Sequence, residues 1–185
     1  MIDRPTLIKV AVGALAVLIL AGASGVLLRE PILEWGAVFM DRFGLWGLFL
    51  GVVISDSSIV PLTNEPLVLL AISGGTSPWL AFAITALGST LAGPLGWLYG
   101  RTLARHTRLG PLLLHRYPSV FALLRRYGAR FVAMAAVFPF PFSVTTWLAG
   151  MAGLPLHQVA LASLWRIPKT AFYVALLVGG WSLGG

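Results

Sequence analysis

Two stretches of this chain are apolar enough for a membrane yet carry prolines in their middle, and that restricts the fold more than any other feature. One is 131-FVAMAAVFPFPFSVTTWLAGMAG-153, with Pro139 and Pro141 between two short apolar arms. The other is 43-FGLWGLFLGVVISDSSIVPLTNEPLVLLAISGG-75, with Pro61 and Pro66 in a polar tip. A proline inside a helix removes a backbone donor and clashes with the preceding turn, at roughly 3 kcal/mol or more. No arm is long enough to cross alone, because a crossing helix needs about 20 apolar residues. The breaks therefore read as places where the chain turns back. Each stretch is expected to be a re-entrant hairpin, whose irregular tip is tolerated at membrane depth only beside protein or a wet cavity.

Composition supports a bilayer setting. The chain is 58% hydrophobic and 10% charged, against about 25% charged residues in soluble domains. Its 185 residues suffice for a single membrane domain, and it has no cysteine. The net charge is +7, and every charged residue after Glu65 is Arg or Lys. Seven arginines fall in 101–130 without one acid. In so apolar a chain this predicts contact with anionic lipid headgroups and a cytoplasmic location for the segment, rather than nucleic-acid binding. The setting expected is a bacterial-type inner membrane with the N-terminus on the same side.

Residues 7–28 read as an uncleaved transmembrane helix, and 29–42 as a loop holding a short interfacial helix that starts at Pro31. After the hairpin at 43–75, residues 78–100 form a full crossing with small residues at helical spacing (Gly88, Ser89, Ala92, Gly93, Gly96) and a kink at Pro94. The basic segment 101–130 predicts a surface helix from Pro118 to Gly128, with Val120, Phe121, Leu124 and Tyr127 on one face. After the second hairpin at 131–153, residues 155–183 cross again with a break at Pro168. Hairpin followed by crossing thus occurs twice, and the single crossing between the hairpins makes them enter from opposite faces. The expected fold is an all-α integral membrane protein: an inverted repeat of re-entrant helical hairpin plus transmembrane helix, with an extra N-terminal transmembrane helix. A homodimer would help bury its polar surface.

The polar residues left inside are the candidates for a binding site. Arg166 falls about 14 Å past His157 along a helix, near mid-membrane, and Lys169 and Thr170 share its face. Intramembrane cations are expensive and functional by default. Glu65, between the prolines of the first tip, is the expected partner of Arg166, switching with protonation or with an incoming anion. Asn64 and Asp56 lie in the same tip. Ser143, Thr145 and Thr146 stand at a half-helix N-terminus suited to phosphate, or bond back to their own helix. Arg130 stands at the mouth of the second hairpin. No catalytic residue, metal site or cofactor is expected: His106, His115 and His157 lack metal spacing with any acid. The tetrapeptide 22-GASG-25, similar to a rhomboid nucleophile motif, sits in the first helix without a partner histidine.

Four features resemble the DedA family, also called VTT or SNARE-associated membrane proteins, over about residues 40–180. They are Glu65 after a proline-bearing break, 96-GWLYGR-101, 126-RYG-128 and 149-AGMAG-153. The resemblance implies opposed re-entrant hairpins and movement of phospholipid or polyprenyl-phosphate lipid across the bilayer. One departure stands out. The family's second hairpin commonly reads R-x-x-P-x-x-R, and here Ala136, Pro139 and Phe142 occupy those positions. This is similar to a divergent, YqaA-type branch in which Arg166 supplies the positive charge. Beside a lipid translocator, the sequence leaves open a carrier of a small solute or ion, and a scaffold that uses the basic segment.

Overall fold

A computed structural model describes residues 29–58, 64–138 and 140–183; the predicted first helix at 7–28 lies outside them. The described elements are α1 (Arg29–Ser57), α2 (Glu65–Ser73), α3 (Pro78–His106), α4 (Leu109–Arg116), α5 (Pro118–Tyr127), α6 (Ala129–Val137), α7 (Phe142–Met151), α8 (Leu156–Ser163) and α9 (Arg166–Leu183). Among the described residues, three stretches are long and apolar enough to cross a membrane: Leu33–Ser57, Pro78–Thr102 and Leu156–Gly179.

The segment read as a loop with a separate interfacial helix is instead continuous with the first hairpin arm. The join is a bend at Gly44, whose φ of 54° and ψ of −154° suit glycine. The bend sets Gly36 against Ser73 and Gly74 at the far end of α2. Beyond it, residues 45–57 rise about 20 Å, short of the roughly 30 Å hydrocarbon thickness. α2 has 9 residues, and α6 and α7 have 9 and 10, so these arms are shorter still. α6 and α7 are separated by extended backbone at Phe138 and Pro141.

Two hydrophobic cores result. Leu48, Val52, Val68 and Ala71 from α1 and α2 pack with Ala81 of α3 and Val174 of α9. Phe131, Val132, Val144 and Leu148 from α6 and α7 pack with Trp97 of α3 and Val159 of α8. α3 therefore begins at the first hairpin and ends at the second, while α8 and α9 run the other way. The two hairpin-and-crossing units are related by that antiparallel exchange, as an inverted repeat requires.

The basic segment holds two helices, and α5 runs from Pro118 with Gly128 closing it, as its sequence predicts. Most of its apolar face packs on the protein, while Tyr127 stays exposed. Leu124 is buried, and Val120 and Phe121 pack on the second core, leaving Arg125 and Arg126 exposed.

The crossing 155–183 is broken, but upstream of the position expected. Turns at Leu164 and Trp165 separate α8 from α9, and Pro168 lies inside the first turn of α9. A proline ring collides with the carbonyl four residues earlier, here that of Leu164. Its own missing N–H costs nothing in a first turn.

Candidate binding site at the hairpin tips

The break between α8 and α9 puts Arg166 at the start of a helix and turns it inward; it is 5% exposed. Its ion-pair partner is Asp56, not Glu65. Asp56 stands in the last turn of α1, where helix carbonyls point outward and a negative charge is otherwise unwelcome. Its Oδ2 accepts from Arg166 Nη2, from Ser89 Oγ and from Asn64 Nδ2, the last at 3.1 Å. Arg166 Nε also donates to Ser89 Oγ at 2.6 Å. Ser89 lies about 16 Å along α3 from its start, so this network sits midway along the crossing. It also lies between the two cores.

The second hairpin closes the network from the other side. The ring of Phe142 faces the Arg166 guanidinium, 4.7 Å from its centroid, a cation–π contact in a desolvated setting. A ring of the second hairpin thus receives the charge that Arg166 brings from α9. Beside it, Trp147 Nε1 donates to the carbonyl of Ser57 at 2.7 Å. That bond ties the second hairpin to the tip of the first and satisfies a carbonyl at the end of α1.

Next to the ion pair lies a narrow cleft lined by Asn64, Glu65, Thr85, Arg166, Lys169, Thr170 and Tyr173. Glu65, Lys169 and Asn64 are thus brought together as the sequence predicts. Glu65 Oε2 is enclosed without a hydrogen-bond partner among the described residues. Its backbone carbonyl accepts from Tyr173 Oη at 2.9 Å, which fixes the start of α2 against α9. The free space is the size of a water molecule, too small for a phosphate.

The remaining predicted residues stay out of this cleft. Thr145 Oγ1 bonds the carbonyl of Pro141 at 3.0 Å and Thr146 Oγ1 that of Ser143 at 2.8 Å. Both turn onto their own helix, and Ser143 is buried beside them. Arg130 is exposed at the start of α6. Among the described residues no group of three His, Asp or Glu is placed to hold a metal. Sequence reasoning overlooked Ser89, Thr85, Phe142 and Tyr173 as site residues. Tyr173 was legible, because 166, 169, 170 and 173 follow the i, i+3, i+4, i+7 spacing of one helix face. Ser89 reads as packing, and only the fold reveals its second use.

The motif residues that carry the family resemblance meet one another in space. In 97-WLYG-100 and 147-WLAG-150 a Trp precedes a Gly by three positions. A side chain on Gly100 would strike the Trp147 carbonyl, and one on Gly150 the Trp97 carbonyl. α3 and α7 thereby approach to backbone contact, and Trp97 Nε1 anchors the far end by donating to Leu154 O at 2.8 Å. Residues 60–178 match the VTT domain. The chain belongs to the DedA family. Membership in DedA makes it a membrane protein with a general transporter or flippase role. No curated protein and no solved structure matches it.

Proposed function

We propose that this DedA protein moves a phosphate-bearing lipid, a phospholipid or a polyprenyl phosphate, across an inner membrane. The hairpins are taken as re-entrant from opposite faces, with the basic segment cytoplasmic and in contact with anionic headgroups. The observation that carries the reading is a buried acid–arginine pair at the meeting point of the two hairpin tips, beside a second acid and a lysine. Two acids and two cations balance there. Protonation of Glu65 leaves Lys169 uncompensated, so the site gains one positive charge and attracts an anion. In the closed arrangement the cleft excludes a headgroup. Transport therefore requires the tips to part, which breaks the contacts of Arg166 with Asp56 or Phe142 and frees its guanidinium for phosphate. The acyl chains remain in the bilayer, and no covalent bond is made or broken.

The test is inner-to-outer exchange of a fluorescent phospholipid, then of a polyprenyl phosphate, in liposomes holding the purified protein. Exchange should be lost in Arg166→Ala and in Glu65→Gln, where the proton can neither arrive nor leave. A fully active double variant of the two sinks the mechanism. The narrowness of the cleft favours one second reading, a carrier of a small inorganic anion. That reading would show as uptake into vesicles without lipid movement.

A further inference from the structure

Two oxygens of the cleft are enclosed with no hydrogen-bond partner among the described residues, Glu65 Oε2 and Thr85 Oγ1. They come from different elements, the start of α2 and the first third of α3, and line the same water-sized space. Thr85 is 1% exposed and stands one turn before Ser89, on the same face of α3. Ser89 is taken by Asp56 and Arg166, while Thr85 is left to the cleft. Buried polar groups almost always find a partner, and a water bound in a protein interior needs two to four of them. The groups here are complementary. A carboxylate accepts, a hydroxyl does either, and the Lys169 ammonium only donates. With Arg166 and Lys169 in the lining, a metal cation is a poor occupant and a neutral water a good one.

We infer that Glu65 and Thr85 hold one water between them, and that this water carries the proton on to and off Glu65. The inference rests on the reading of Glu65 as the acid that switches. A hydronium arriving in the cleft loses one O–H bond, its electron pair staying on the water oxygen. A new O–H bond forms at Glu65 Oε2, and a neutral water remains on Thr85. The reverse step returns the proton. Other charged or titratable groups face Glu65 from α1 (Asp56) and α9 (Arg166, Lys169, Tyr173). Among the described residues, the lining takes only the neutral Thr85 from α3. Thr85 is thus a positioning residue, acting through the water.

The test reads Glu65 directly by infrared difference spectroscopy of the protein in nanodiscs, titrated with pH. The protonated-carboxyl band that disappears in Glu65→Gln is the signal. Thr85→Val keeps the shape of the side chain and removes its hydroxyl. It should raise the midpoint of that band by about one pH unit, a tenfold change in proton affinity, because the carboxylate loses its donor. Thr85→Ser should restore the original midpoint. An unchanged midpoint and band position in Thr85→Val overturns the proposal, and so does the absence of any band that Glu65→Gln removes. Since the band is read without lipid movement, a shifted midpoint beside inactive liposomes would refute the transport reading alone. Active liposomes beside an unshifted midpoint would refute the water site alone.

Discussion

Arg166 is held by side chains from three segments: Asp56 at the end of α1, Ser89 midway along α3 and Phe142 at the start of α7. Removing one partner of a buried pair strands the other, at about 3–5 kcal/mol, whereas replacing both is often neutral. Asp56→Asn and Arg166→Met are each expected to lower the melting temperature in detergent. The double variant should melt above either single one, and additive losses would show that the pair is not coupled. Phe142 acts through the same guanidinium. A desolvated cation–π contact is worth up to about 2 kcal/mol and holds the closed arrangement that must open, so Phe142→Leu should speed lipid exchange by roughly tenfold. Phe142→Trp should preserve the rate, and equal changes in both variants would assign the ring to packing alone. At this scale the sequence was only half legible. It marks Arg166 and two acids of one tip, but Asp56 and Glu65 are close in sequence and charge alone does not choose between them. The choice depends on where α1 ends and how α2 leaves it. That geometry gives Asp56 to the arginine and Glu65 to the cleft.

The elements were read more securely than their joints. The apolar arms and the Pro118 start of α5 follow from local chemistry. The bends do not. Gly44 looks like any other small residue until the fold uses its positive φ, and a proline disrupts the turn before itself rather than its own position. The consequence at Pro168 can be measured. Replacing it with alanine lets Leu164 rejoin the hydrogen-bond ladder, so α8 and α9 should fuse and Arg166 should rotate away from Asp56. Pro168→Ala is expected to retain or gain thermal stability, since alanine favours helix, while lipid exchange falls to the level of empty liposomes. A variant with normal exchange would show that the break has no part in placing the arginine.

Across the whole molecule, the exchange of helices between two cores explains why the polar network sits where it does. α3 and the α8–α9 crossing each start in one hairpin's core and finish in the other's, so their middles pass between the cores, at a level that both tips reach. The repeat was visible in the sequence as hairpin-then-crossing. How the repeat lies in a bilayer is a separate question, and the chain suits a direct test because it has no cysteine. Single cysteines can be placed at Asp41, Ser119 and His157, all exposed, and challenged with a membrane-impermeant maleimide from either side. Asp41 lies shortly before the bend that folds its segment back on the end of α2. Ser119 and His157 flank the second hairpin. Hairpins that enter and leave on the same face put Ser119 and His157 together, and α3 carries the chain across to the face of Asp41. Ser119 and His157 should therefore label from the cytoplasm, as the arginines of 101–130 require, and Asp41 from outside. Labelling of Ser119 and His157 from opposite sides would mean that α6 and α7 cross the bilayer. The polar network would then lose its mid-membrane position, and with it the basis for a shared pathway.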